Sequence, residues 1–379
     1  MRAGWHTVPM AELCSIQSGK SDTKDAIPDG EYVFFDRSKT IKRSARFLRD
    51  CEALIIPGEG TEFLPRHFNG KFDLHQRAYA LFDFSLNVDV RFLFHYLHHV
   101  ADYFPRVAVG ATVKSLRLRH FEELPVVVAP LSAQHRIVAI LDEAFAGIAS
   151  AKATAEENIQ NSRFLFESYL HSVFTQRGQE WAQKSLGELA VFRNGINFNK
   201  SSKGTSIKIL GVKDFQDAYW APLDDLDSIV PDGTVPDNDT LRQGDIVFVR
   251  SNGNPALIGR CLIIGHVAAR TTHSGFTIKA RLQTSEILPT YLGHFLKSSA
   301  IRRQMIDGGN GANIKSLNQG TLSRLEIPFP SISEQAKMVE SIEAFQHESQ
   351  RLEGIYQQKL IALDNLKKSL LHQAFTGEL

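Results

Sequence analysis

One feature constrains this chain above all others: most of it is written twice, so whatever it folds into must be built twice. Trp5-His6-Thr7-Val8-Pro9-Met10-Ala11-Glu12-Leu13, followed by Gly19, returns as Trp181-Ala182-Gln183-Lys184-Ser185-Leu186-Gly187-Glu188-Leu189, followed by Gly195. Trp, Glu-Leu and Gly recur at one offset of 176 residues. Gly110-Ala111-Thr112-Val113-Lys114-Ser115-Leu116 returns as Gly311-Ala312-Asn313-Ile314-Lys315-Ser316-Leu317 at an offset of 201. That second offset persists through Gln134/Gln335 and Val138/Val339 to Phe174/Phe375. In between, His75 pairs with His273, and the stretch 92–97 resembles 291–296. The tail half of the repeat therefore keeps its length, while the leading half gains 25 net residues in copy two. A part of constant length reads as scaffold and a part of variable length as reader, because loops tolerate insertion and carry recognition. The same register carries Gly178 onto Leu379, so two full repeats are expected.

Each leading part reads as mixed α/β. Short apolar runs bounded by turn residues predict strands at 32–35, 53–56 and 78–82, and at 207–210, 245–249 and 261–264. Helices are predicted near 89–104 and 288–306. A proline-punctuated strand follows in each copy, Leu124-Pro125-Val126-Val127-Val128-Ala129-Pro130 and Leu325-Glu326-Ile327-Pro328-Phe329-Pro330. A long helix begins next, with Ser132 as the expected N-cap in copy one and Ser331 with Glu334 as a capping box in copy two. Apolar residues at spacings of three and four predict a helical seam of Ile137, Leu141, Ile148, Ile159 and Phe166 in copy one. In copy two the seam is Ile342, Phe345, Leu352, Leu363, Leu366 and Leu370. Gly147 and Gly354 are candidate kinks. The resulting fold class is α+β. Two mixed α/β domains alternate with two long helices that pair as an antiparallel coiled coil, in a pseudo-two-fold internal repeat.

In order and in detail, these motifs resemble the specificity (S) subunit of type I restriction-modification systems. The resemblance covers the whole chain. It rests on the duplicated Gly-Ala-Thr-Val-Lys-Ser-Leu motif, on the proline strand leading into Ser331-Ile332-Ser333-Glu334-Gln335, and on the C-terminus Leu370-Leu371-His372-Gln373-Ala374-Phe375-Thr376-Gly377-Glu378-Leu379. It implies target recognition domains at 1–130 and 179–330, a central helical region at 131–178 and a C-terminal one at 331–379. Each recognition domain would read one half of a bipartite, asymmetric site in double-stranded DNA. The helices would set the spacing and dock two adenine-N6 methyltransferase subunits, with two restriction subunits able to join. The chain itself would bind no cofactor. S-adenosylmethionine would belong to the modification partner, and ATP and Mg to a restriction partner.

Formal net charge is +1, with 43 Lys+Arg against 42 Asp+Glu, so any DNA contact must come from local distribution and not from a polybasic whole. In copy one, Arg37, Lys39, Lys42, Arg43 and Arg46 fall within ten residues that contain no acid. Such a run can neutralise phosphates, and it can equally be a solvated face. Arg66, Arg77 and Lys114 extend the candidate set. In copy two the candidates are Arg193, Asn194, Asn197, Asn199 and Lys200, then Arg250, Asn252 and Asn254, then Arg270 and Lys315. Asn can pair bidentately with adenine, and Arg or Lys with guanine. The loop Pro57-Gly58-Glu59-Gly60-Thr61 is the expected counterpart of 250–254, and 75–77 that of 270–273.

No catalytic residue or metal ligand is assigned. The Gly-rich segments lack Walker spacing, and Asn252-Gly253-Asn254-Pro255-Ala256 lacks the second proline and the aromatic of an adenine-methyltransferase loop. His95, His98 and His99 lack a helical H-E-x-x-H pattern. Cys14, Cys51 and Cys261 are too few and too scattered for a disulfide framework. No apolar run reaches membrane-spanning length, and a cytoplasmic location is expected. A second reading is a scaffold or adaptor that uses the duplicated module for assembly without reading DNA.

Overall fold

Ala53, Leu54, Ile55 and Ile56 are all buried because their strand, Arg49–Pro57, is covered on both faces. Leu54 and Ile56 face a helix, Val90–His99, through Phe92, Leu93 and Tyr96. Ala53 and Ile55 face a second apolar layer of Phe35, Phe72 and Leu74. The structure is a computed structural model and describes residues 4–176, 178, 180–198, 202–215, 218–308 and 316–379.

The chain divides into two compact units, 1–157 with 356–379, and 158–355. The segment order of the sequence describes the path of the chain. The contacts group it differently, because each long helix gives its first part to one unit and its last part to the other.

In the first unit six strands lie in the order Ser15–Ser18, Ala78–Phe82, Arg49–Pro57, Arg66–Leu74, Tyr32–Phe35, Lys42–Ser44. All neighbours are antiparallel except Tyr32–Phe35 with Arg66–Leu74. In the second unit the long strand Arg66–Leu74 is represented by two short ones, Cys261–Ile263 and Thr271–His273, and the sheet splits into four strands and three. Strand pairing locates the extra residues of copy two. The offset between equivalent residues is 175 at Phe35/Leu210, 192 at Ile56/Phe248 and 199 at Leu74/His273. Most of the growth lies between Leu210 and Ile246, in a segment that builds its own apolar cluster from Phe215, Ala221, Leu226 and Leu241 against Val247 and Val249.

The proline strands pair antiparallel with the first strand of their own repeat, His6–Pro9 with Pro125–Val128 and Ala182–Ser185 with Glu326–Phe329. Each long helix has 45 residues, Leu131–Thr175 and Ile332–Thr376, about 67 Å at 1.5 Å per residue. Neither glycine breaks its helix; a Cβ at Gly147 or Gly354 would meet nothing within 4 Å. Ser331 and Glu334 form the capping box, with Ser331 Oγ 2.8 Å from the Glu334 carboxylate. Ser132 is not an N-cap: its helix already begins at Leu131, where the Pro130 carbonyl accepts from the N–H of Ala133 and Gln134.

Two fully buried glutamines lock helix to domain in the same way. Gln134 Nε2 donates to the carbonyls of Asn87 and Ala129, and its Oε1 accepts from Asp89 N–H. Gln335 Nε2 donates to Glu286 and Pro330, and its Oε1 accepts from Leu288 N–H. At the far end of each helix, a phenylalanine closes the core of the unit to which the other repeat gave its globular part. Phe375 meets Phe92 and Tyr96 edge-on at 5.1 and 5.2 Å, and Phe174 meets Tyr291 and Phe295 at 5.4 and 5.3 Å.

Within each unit the helix segments run antiparallel. In the first, Arg136 reaches the Leu379 carbonyl and Lys152 pairs with Asp364. In the second, Arg163 pairs with Glu353 and Tyr169 stacks on Phe345 at 4.5 Å. Ile137, Leu141, Ile148, Ile159 and Ile342 are buried, and Phe166, Leu363 and Leu370 are half-buried, as a seam requires. Leu352 and Leu366 are not seam residues. They are 38% and 47% exposed, since Gln346, Ser349 and Glu353 occupy the inward register beside Leu352, and Leu363, Lys367 and Leu370 occupy it beside Leu366. Ser349 and the equally buried Ser162 exchange hydrogen bonds there. Phe345 is itself about one-third exposed although it stacks on Tyr169.

Two outcomes follow from this packing. Gln134→Ala or Gln335→Ala orphans three backbone groups and should cost roughly 1–3 kcal/mol, measurable in urea melts. Burial holds the imidazoles of His98 and His294 down to about 4 and that of His273 down to about 3, with nearby lysines adding to the effect. An unfolded histidine titrates near pH 6.5, so below that pH the unfolded chain binds protons that the folded chain refuses. Melting temperature should therefore fall as pH drops from about 6.5 to 4, and His294→Gln should shallow that slope.

Candidate nucleic-acid interface

In both units one glycine brings a strand end against a tight turn. A Cβ on Gly19 would stand 1.9 Å from the Leu74 carbonyl oxygen, and one on Gly195 would stand 2.2 Å from that of Ser274. This is why glycine recurs at these two positions: no other residue fits so close to a backbone carbonyl. The turns that result are superimposable in their bonding. Gly19 N–H donates to the Ala78 carbonyl and Gly195 N–H to that of Thr277. Arg77 N–H donates to His75 Nδ1 at 2.9 Å, and Phe276 N–H to Ser274 Oγ at 3.3 Å. The carbonyl of the tip residue then accepts from the neighbouring loop, Arg77 from Gly58 and Phe276 from Arg250. That loop is tied in turn by Leu116 N–H to Gly58 and Leu317 N–H to Arg250.

This register corrects one expectation. His75 is equivalent to Ser274 and not to His273, which matches Leu74 and is fully buried in the core. Arg270 is likewise not at the turn. It precedes the strand Thr271–His273 at the other end and binds the Val235 carbonyl and Asp237. The match of 57–61 with the loop at 250 stands, with Gly58 in the place of Arg250.

The basic run of copy one divides by role. Arg43 is spent on the carbonyls of Gly30 and Glu31. Lys42 pairs with buried Asp36; burial alone would raise that carboxyl, but hydrogen bonds from Lys42 and Ser38 hold it below the usual carboxylate range. Arg46 reaches Ser21 and Asp25 and approaches buried Asp73. Arg37 and Lys39, by contrast, line a surface cleft of about 460 Å³ together with Glu59, Glu62 and Arg66. Glu59 is the hub of this cleft, accepting from Arg37 and Ser115 Oγ, each at 3.2 Å, and forming an ion pair with Arg77 at 3.1 Å. Lys39 pairs with Glu62, and Arg66 donates to the Ser38 carbonyl. Lys114 is exposed on a tight turn enforced by Gly110, whose φ is +124°.

In the second unit two of the candidate segments, 193–197 and 250–254, converge on the turn. Gly275 N–H donates to the Ile196 carbonyl, and a Cβ on Gly275 would collide with Asn197 Oδ1 at 2.1 Å. Asn194 accepts from Gln319, and Arg193 pairs with Asp239. Arg250 lies directly behind the tip through its backbone. Asn252 and Asn254 use their carboxamide oxygens on the N–H of Asn254 and Ala256, as an Asn turn does. Asn199, Lys200 and Lys315 lie outside the described residues, as do 309–314 of the second Gly-rich segment.

Sequence reasoning missed two residues here. Phe276 at the turn tip is 60% exposed and Phe198 is 46% exposed, beside Asn197. As two of 25 phenylalanines they carry no signal in the sequence, since a phenylalanine is a core residue by default. Among the described residues no cluster of three or more His, Cys, Asp or Glu side chains could hold a metal. A Gly195→Ala change should push the turn at 274–276 outward and lower the melting temperature. Gly354→Ala, in open space, should leave it unchanged or raise it.

Comparison with known proteins bears on what such a surface is for. A family profile described as the type I restriction modification DNA specificity domain matches residues 2–161 and again 178–359. The chain is 22% identical to the EcoDI specificity subunit of Escherichia coli over 99% of its own length and 88% of the relative's. It is 24% identical to the StySPI specificity subunit of Salmonella potsdam over 98% and 82%. Its fold matches the HsdS subunit from Thermoanaerobacter tengcongensis at a TM-score of 0.58 and 16% identity, over 100% of this chain and 98% of that one. It also matches a chain from a structural study of assembly and conformational transition in the type I R-M system, at a TM-score of 0.74 and 16% identity, over 100% and 99%.

Proposed function

This chain belongs to the type I restriction-modification DNA specificity family, and from that premise we propose that each of its units reads one half of a bipartite DNA site. The chain is a specificity subunit, a non-catalytic DNA-recognition component of a restriction-modification complex. Family membership favours that role over an adaptor that ignores DNA. The observation that carries the two-half reading is the duplicated turn. Its glycine and its backbone bonds are the same in both units, while its tip residue differs, Arg77 in one and Phe276 in the other. A shared frame with unlike tips suits two different half-sequences.

In this reading cations with exposed head groups supply the phosphate contacts that position the protein, and loop-tip side chains supply the base contacts that specify. Exposed Arg37 and Lys39 and half-exposed Arg66 line the cleft around Glu59 in the first unit. In the second, half-exposed Arg250 is bonded to the tip through its backbone, while exposed Arg193 lies on the strand that leads to Gly195. Lys42, Arg43 and Arg46, tied to carbonyls and buried carboxylates, serve the fold. Two adenine-N6 methyltransferase subunits would dock on the long helices, bringing S-adenosylmethionine, and restriction subunits would bring ATP and Mg. The complex would act in the cytoplasm, where the DNA is; among the described residues no helix is long and apolar enough to cross a membrane.

The helices would set the distance between the half-sites, since they are the segments that the two units share. Inserting four residues in each helix adds about 6 Å, near two base-pair steps. Sequencing of methylated positions in a host carrying this variant should show the two half-sequences unchanged with a longer spacer between them. Altered half-sequences at the original spacing would contradict the proposal.

A further inference from the structure

We propose that the tip of the glycine-supported turn is the specificity-determining position of each unit: Arg77, oriented by Glu59, reads a guanine, and Phe276 reads a thymine methyl. The inference rests on the two-half reading above and assigns residues to it.

Arg77 and Phe276 occupy one backbone position, fixed by the three shared bonds of the turn. Each tip is rigid at the backbone and exposed at the side chain, the combination a reading residue needs. Arginine offers five donors in a planar fork that matches the O6 and N7 acceptors of guanine. Glu59 pairs with Nη1 of Arg77 at 3.1 Å, and the Arg77 side chain remains 55% exposed. The carboxylate is itself held in place by Ser115 Oγ and Arg37. Glu59 is thus a positioning residue, and its charge also keeps the cleft from attracting phosphate indiscriminately.

The second unit has no acid at this place. Gly58-Glu59 is replaced by Arg250-Ser251, and the tip carries a phenyl ring 60% exposed to solvent. Among the described residues the ring stays largely uncovered, although the same unit buries large apolar side chains throughout its core. An aromatic ring on a major-groove loop makes apolar contact with the thymine C5 methyl. Exposed Asn197 lies directly beneath Gly275 and can pair with an adjacent adenine.

The test is selection from a randomised duplex pool by the full chain purified in its complex, for wild type and single variants. Wild type should enrich a two-part sequence. Arg77→Ala should abolish a guanine preference of roughly 5- to 150-fold at one position of one part, and Arg77→Lys, which keeps a donor but loses the fork, should weaken it. Arg77→Lys should keep the salt dependence of binding, because the charge remains. Glu59→Gln should weaken the same preference without moving any other position. Phe276→Ala should relax a thymine in the other part by a few-fold. Both tips are exposed, so melting temperatures serve as the control for folding. A wild-type motif that survives Arg77→Ala and Phe276→Ala unchanged, or both variants altering the same part, overturns the inference alone. A wild-type complex that enriches no sequence overturns the DNA-reading proposal and this inference with it.

Discussion

The structure depends on a contact too close for any side chain. Gly19 and Gly195 each let a strand end lie against the backbone carbonyl of a turn. Once that approach is made, the turn has one geometry, and its tip projects from the same place in either unit. The bonds that hold it involve backbone groups and one side-chain acceptor, His75 Nδ1 or Ser274 Oγ. The tip residue contributes only its own N–H and C=O. Its side chain can therefore change without cost to the fold, which is the physical basis for separating frame from reader.

The same separation explains how the repeat tolerates unequal length. The added residues of copy two enter between Leu210 and Ile246 and before Thr271, and they carry their own apolar cluster. The tail half has no such freedom. Gln134 and Gln335 each satisfy three backbone groups at the root of a long helix. Phe174 and Phe375 each fill an aromatic slot in the unit that the opposite repeat began. A helix pinned at both ends by specific contacts cannot gain or lose residues silently, so the offset of 201 is kept from Gln134/Gln335 to Phe174/Phe375.

Much of this was legible in the sequence. The repeat, the proline strands, the capping box at Ser331 and the register of the two glutamines all rest on local pattern or on self-comparison, and both are visible without a fold. What was not legible depends on partners distant along the chain. The basic run reads as five like cations until the carbonyls of Gly30 and Glu31 are placed beside Arg43, the carboxylates of Asp25 and Asp73 beside Arg46, and that of Glu59 beside Arg37. His75 and His273 align as letters but differ by one position in strand register, and a one-residue slip moves a side chain to the other face of a sheet. Leu352 and Leu366 satisfy helical spacing, yet Gln346, Ser349 and Glu353 take the inward positions around the first, and Leu363, Lys367 and Leu370 those around the second. Phe276 could be found only by its exposure.

Near-neutral charge, 43 cations against 42 anions, is consistent with a chain whose specificity is confined to a few tips. The most direct measurement is photo-cross-linking. A benzophenone amino acid is placed at position 77 or 276 of the full chain in its complex, bound to its methylated duplex, and each cross-linked base is mapped. The account predicts one cross-linked position per variant, position 77 in one half of the recognition sequence and position 276 in the other. Cross-links from both positions to the same half, or to the spacer, would contradict it.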